Sequence, residues 1–230
     1  MGFFYGFDST YFYFVIPALI ISLLAQVRVK SAFSKFSQIP SSRNISGADA
    51  ARQVLSSHGV ANVRIERVAG SLTDHYDPKA NVIRLSESVF DSTSIAAIGV
   101  AAHEAGHAVQ YAKGYAPIKF RAGIINISRI GSMLSWPIFL MGLVFNFTPL
   151  MDIGILLFCA LLLFQLITLP VEFNASRRAI QTLGENNILY MEELTGAKKV
   201  LSAAAMTYVA AMISSLAHLL RLLVLSNRRR

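Results

Sequence analysis

Four stretches of the chain carry no Asp, Glu, Lys or Arg: Ser9 to Val27, Ile130 to Met151, Ile153 to Val171 and Val200 to Leu220. At about 1.5 Å per helical residue each is long enough to cross a hydrocarbon layer of about 30 Å. The first three read as membrane spans near 7–26, 130–147 and 153–171. The second and third are joined by Asn146-Phe147-Thr148-Pro149-Leu150-Met151-Asp152, a short turn-prone connection with one acid and no base, and so form a helical hairpin. The fourth run holds Ser202, Thr207, Tyr208, Ser214, Ser215 and His218 among small alanines, a content that suits a helix packed on protein. Lys198 and Lys199 precede it, and Arg221 and Arg228-Arg229-Arg230 follow. The preferred reading is a cytosolic helix lying on or near the membrane, with a fourth span over 200–220 as the alternative.

Between the first span and the hairpin the pattern is that of a soluble protein. Ser46-Gly47-Ala48-Asp49 is an N-cap signal for a helix to about Ser57, ended by His58-Gly59. Val63 to Val68 and Asn81 to Leu85 alternate apolar with polar, so both read as strands with one buried face, the second placed at a sheet edge. Asp74-His75-Tyr76-Asp77-Pro78 between them has turn chemistry. Asp91-Ser92-Thr93 caps a long helix to about Ala112, stopped by Gly114 and Pro117. Four segments follow: an anchor over 1–27, a cytosolic part over 28–128, the hairpin over 129–171 and a C-terminal helical part over 172–230.

Composition supports a membrane protein. Hydrophobic residues make up 54% and charged residues 15%, where soluble domains carry roughly a quarter charged. The net charge of +8 first suggests nucleic acid, but its placement says otherwise. With three spans and the N-terminus outside, all 21 Lys and Arg fall on the inner side, as the positive-inside rule requires. Topology thus accounts for the basic residues, no aromatic-basic face is present, and no nucleic-acid partner is expected. The first span has its bases after it rather than before, the reverse of a signal peptide, and Gly6 stands where myristoylation needs Ser or Thr. A retained anchor in a multi-pass membrane protein is the expectation. The lone Cys159 excludes an intrachain disulfide and a cysteine zinc cluster.

The long soluble helix contains His103-Glu104-Ala105-Gly106-His107. Histidines at i and i+4 stand on one helical face, so both imidazoles reach one zinc ion, while the intervening glutamate reaches the metal's water without binding the metal. Small neighbours, Ala101, Ala102, Ala105, Gly106 and Ala108, let other groups approach closely. The plain alternative is a histidine pair satisfied by carbonyls or lipid headgroups. A catalytic zinc needs a third protein ligand, and His58, His75, His218 and the acids are candidates. Glu172 stands out because an acid directly after an apolar run is costly without a partner. It equally suits an interfacial glutamate paired with Arg177 or Arg178, at the start of a helix beginning after Pro170.

The segment Ala102-His103-Glu104-Ala105-Gly106-His107-Ala108-Val109-Gln110 is followed by Leu169-Pro170-Val171-Glu172-Phe173-Asn174-Ala175-Ser176-Arg177-Arg178-Ala179. With Leu72 to Pro78 and the Thr207-Tyr208-Val209 helix, these resemble the YugP-type neutral zinc metallopeptidases, a family of predicted bacterial membrane proteases. The likeness covers nearly the whole chain. More distantly the sequence is similar to membrane gluzincins of the heat-shock and CAAX-processing type, whose third ligand is a glutamate in an E-x-x-A-D helix. That resemblance implies Glu172 as ligand, with Ala175 in frame and Ser176 in place of the final acid. Asn174 stands where the family more often has Asp.

The expected fold is therefore an α-helical membrane protein with a small α+β, zincin-like catalytic domain. The expected activity is peptide-bond hydrolysis with one Zn²⁺ per chain on His103, His107 and Glu172 and with Glu104 as general base. Ser176 is a candidate to orient a ligand histidine. His218, Tyr208, Arg177, His75 and Tyr76 are candidate stabilisers of the oxyanion. Substrates are expected to be peptides or juxtamembrane segments of membrane proteins, met at the cytoplasmic face of the bilayer, with membrane-protein quality control as the role. The alternatives are an intramembrane metalloprotease and a membrane scaffold with an idle zinc.

Overall fold

Backbone groups in an apolar run have no water to bond, so helix is the conformation that satisfies them, and the four charge-free runs are helical apart from the turn at 145–147 in the second. The structure, a computed structural model, describes residues 9–229; Met1 to Asp8, which hold the start of the anchor and the Gly6 of the lipidation reading, and Arg230 lie outside the described residues. The elements in order are α1 (Ile16–Phe36) behind a π turn at Tyr11–Val15, α2 (Gly47–Ser57), β1 (Arg64–Val68), β2 (His75–Asp77), β3 (Val82–Ser86), α3 (Glu87–Phe90), α4 (Ile95–Ala112), α5 (Ala116–Val144), α6 (Thr148–Glu185) and α7 (Met191–Asn227). Two compact units emerge: the chain up to Gln26 with Phe120–Leu169 and Thr207 onward, and Val27–Lys119 with Pro170–Met206.

The first unit is built from apolar helix. Its hairpin closes on glycines: a Cβ on Gly142 would lie 2.6 Å from the backbone nitrogen of Met151, and one on Gly154 would lie 2.7 Å from Cβ of Phe139. Phe139 and Met151 are fully buried there with Leu222 and Leu225 of α7. Four helices, Tyr11–Phe36, Ala116–Val144, Thr148–Glu185 and Met191–Asn227, are long and apolar enough to cross a membrane. The fourth is the one the sequence places by preference on the membrane surface. One of its polar residues packs on another apolar helix: Ser214 Oγ lies 2.8 Å from Ser22 Oγ of α1. Arg221, buried in the same unit, sets its guanidinium 5.4 Å from the ring centre of Tyr11, a contact that eases the cost of a cation there.

The second unit holds the sheet and the helices around it. Ser46 caps α2 by accepting from the Asp49 backbone N–H at 3.1 Å, and Gly59, at φ 71°, takes the left-handed turn after its end. The sheet order is β1-β3-β2, with β1 parallel and β2 antiparallel to β3. Three expectations are corrected here. The segment read as a turn contains β2. The strand expected at an edge, β3, is central, and Val82, Ile83, Leu85 and Ser86 are all buried, so both its faces are covered. The long helix starts at Ile95, later than expected, because α3 occupies Glu87–Phe90 and Ser94 serves as the cap, accepting from Ala97 N–H at 3.2 Å.

The core of this unit is α2 and α4 against β3, with Ile83, Leu85, Val54, Ile98, Ala101, Ala102, Ala105 and Val109 buried. Ala179, Leu183, Ile188, Leu189, Ala197 and Leu201, from the later part of α6 through the first part of α7, close it. A fourth correction concerns α6, which runs unbroken through Pro170 instead of starting after it. The proline removes one backbone bond, a loss that long apolar helices tolerate.

Candidate metal centre

Alanine and glycine on one side of α4 decide how near α6 can come. A Cβ on Gly106 would lie 2.8 Å from the backbone oxygen of Ala175, a separation that only the missing side chain permits. This close approach brings Glu172, 2% exposed, over the histidine face of α4. Glu172 Oε2 is 3.3 Å from His103 Nε2 and 3.5 Å from His107 Nε2. The two imidazoles stand edge to face, 4.7 Å between ring centres. One ligand atom from each of the three residues falls within 4.8 Å of the others.

These separations are long for N–H···O bonds, which favour 2.7–3.2 Å. They match the edge of a tetrahedron with bonds of about 2.0–2.1 Å, which is about 3.3–3.4 Å. Two imidazoles and one carboxylate are also a donor set that suits zinc. Burial works against a charge on His107, yet the carboxylates of Glu172 and Glu104 outweigh it and hold its pKa above the ordinary histidine value. The same field favours any cation held between these groups. Glu104 is buried on α4 beside His103 and contributes no atom to the convergent trio.

Each ring nitrogen turned away from Glu172 has its own partner. Ser176 Oγ lies 3.1 Å from His103 Nδ1, and Gln110 Oε1 lies 3.0 Å from His107 Nδ1. Sequence reasoning did not single out Gln110, although its position three residues after His107 puts it on the same face of the helix.

Among the described residues, none of His58, His75 and His218 joins this trio. His58 sets Nε2 2.9 Å from Thr182 Oγ1, and burial, with Lys113 and Arg178 nearby, pushes its pKa down. His75 is exposed on β2 with Nδ1 2.8 Å from the Thr73 carbonyl oxygen. Arg177 is exposed. Tyr208 and His218 are exposed on the half of α7 that belongs to the apolar-helix unit. Tyr76 on β2 donates its hydroxyl to Asn81 Oδ1 at 2.8 Å. With Val60, Val63, Ala108 and Tyr111 it lines a cavity of about 410 Å³ beside α4.

A histidine pair on one helix and a carboxylate from another, in a chain with four apolar helices, define a membrane protein with a candidate metal centre. The chain belongs to the family described as "Putative neutral zinc metallopeptidase", whose model matches residues 11–227. It is 45% identical over 215 residues to "Putative membrane protease YugP" of Bacillus subtilis (strain 168), a match spanning 94% of this chain and 96% of that one. No solved structure matches.

The tight helix crossing yields a direct prediction. Gly106→Ala is expected to push α6 away from α4 and to weaken zinc binding by on the order of tenfold or more, the scale on which misplaced supporting groups cost metal affinity. Competition with a chromophoric chelator measures this, and unchanged affinity would show that the crossing does not set the site.

Proposed function

We propose that this protein is a membrane-anchored zinc endopeptidase of the gluzincin kind, with His103, His107 and Glu172 holding one zinc ion and Glu104 as general base. The observation that carries the reading is the Glu172 carboxylate oxygen at tetrahedral-edge separations from both histidine nitrogens, beside a buried glutamate that stays out of the ligand set. Family membership and the relative's description support it. A zinc ion in this position supplies a Lewis acid that acidifies water and polarises a scissile carbonyl. The Glu104 carboxylate accepts the proton of the attacking water and returns it to the leaving amine. Ser176 and Gln110 orient the histidines. The central place of β3 moves the proposed substrate edge to β2, where an extended peptide adds by main-chain pairing. An intramembrane protease is disfavoured, because α4 is not among the four candidate spans and is packed on α2 and the sheet.

The test is cleavage of an unfolded protein by the detergent-purified chain. Chelator-sensitive cleavage with about one zinc per chain is the expected result. Absence of both zinc and cleavage overturns the reading.

The site is proposed to lie on the cytoplasmic side, with juxtamembrane segments of membrane proteins as substrates and membrane-protein quality control as the role. Four crossings with the β1–β2 connection inside leave there, or at the edge, every Lys and Arg except Arg221 and Arg228 to Arg230. A reporter after Arg230 is then expected outside and one between β1 and β2 inside. If both report the same side, α7 does not cross, and the three-span topology with a surface α7 stands.

A further inference from the structure

The hydrogen bonds behind His107 have a direction that can be worked out atom by atom. Gln110 is fully buried. Its side-chain nitrogen Nε2 lies 2.8 Å from the Val171 carbonyl oxygen and 3.0 Å from Asn174 Oδ1. A carbonyl oxygen only accepts, so the face of the amide turned to Val171 must be the NH₂ group. Asn174 gives the same answer independently. Arg178 Nε, a donor with no acceptor capacity, meets Asn174 Oδ1 at 2.8 Å, which fixes the oxygen of that amide as the atom facing both Arg178 and Gln110. Turning the Gln110 amide over would set its oxygen against two acceptors at once. The remaining atom, Gln110 Oε1, therefore faces His107 Nδ1 as an acceptor, and Nδ1 carries the hydrogen.

We infer that Gln110, held by Val171 and the Asn174–Arg178 pair, is a positioning residue that keeps the hydrogen of His107 on Nδ1, so that Nε2, the nitrogen turned to Glu172, is the one that gives up its proton and takes zinc. The inference rests on the zinc site proposed above. His103 has no such constraint, since the Ser176 hydroxyl can donate or accept. The two histidines thus differ: one is pre-set by a chain of fixed polarity, the other adapts. The network needs from position 174 only an oxygen that accepts twice, which an aspartate supplies as well as an asparagine.

The test uses the full-length protein in detergent, with zinc affinity read by chelator competition and the protonated nitrogen of the neutral His107 ring read in the metal-free protein, above the His107 pKa, by ¹⁵N-histidine chemical shifts. Gln110→Leu is expected to weaken zinc binding by about 10–100-fold and to shift His107 to a mixture of tautomers. Asn174→Asp, which keeps the accepting oxygen, is expected to bind within about threefold of the parent, and Asn174→Leu to lose tenfold or more, on the same scale. Unchanged affinity and tautomer in Gln110→Leu, or equal losses in Asn174→Asp and Asn174→Leu, overturn the inference. If Gln110→Leu fails to fold, the Asn174 pair decides. His107→Ala separates the two levels: parental zinc affinity in that variant sinks the zinc site itself, whereas loss there beside a silent Gln110→Leu sinks only the tautomer assignment.

Discussion

Glu104→Gln is expected to retain one zinc per chain and to lose peptide hydrolysis by a factor of roughly 10²–10⁴, the usual worth of a positioned proton acceptor. The substitution is nearly isosteric and its site is buried, so packing on α4 is kept. Glu104 contributes no atom to the convergent trio, so the ion keeps its ligands. What changes is that an amide has no basic oxygen to take the water's proton. Metal content by mass spectrometry and cleavage of an unfolded protein, measured on the same preparation, give the answer. Normal zinc with undiminished cleavage would remove the proposed base, and normal zinc with no cleavage even in the parent would make the protein a zinc-holding scaffold.

Glu172→Ala is expected to cost more zinc affinity than the roughly 10–100-fold typical of losing an outer partner, because it removes a ligand and the only carboxylate in the trio. Both imidazoles would remain, facing a void where the charge that offsets the metal had been. His75→Ala and His218→Ala serve as the counter-experiment. His75 bonds its own loop and neither histidine contributes an atom to the trio, so both variants are expected to bind like the parent. Loss of zinc in either, with Glu172→Ala unaffected, would make a histidine the third ligand.

How far these residues could be read in advance depended on how local their signals are. The histidine pair and its glutamate are legible because one helical turn separates them, and the four apolar runs because freedom from charge over a span's length has few other uses. Ser46 and His58-Gly59 mark the ends of α2 by local cap chemistry. The errors arise where a distant neighbour decides. β3 reads as half-buried by alternation, but pairing on both sides and cover on both faces make it central. β2 consists of turn-like residues, and only pairing with β3 makes a strand of them. Pro170 signals a break that the surrounding apolar helix overrides. Glu172 needs the crossing at Gly106 to meet the histidines, and the sequence shows only that small residues are there.

His107 and Glu172 are 65 residues apart in the chain, and a metal ion between them acts as a cross-link. For a flexible loop of that length, closure is worth about 4 kcal/mol on the chain-entropy scale, an upper limit here because a hairpin already draws the loop together. Chelation would therefore do more than stop the proposed hydrolysis: it would release a clamp on the unit that holds the candidate site. The metal-free protein is expected to melt earlier and to be cleaved more readily by added proteases, which would tie the lifetime of the molecule in its membrane to the supply of its ion.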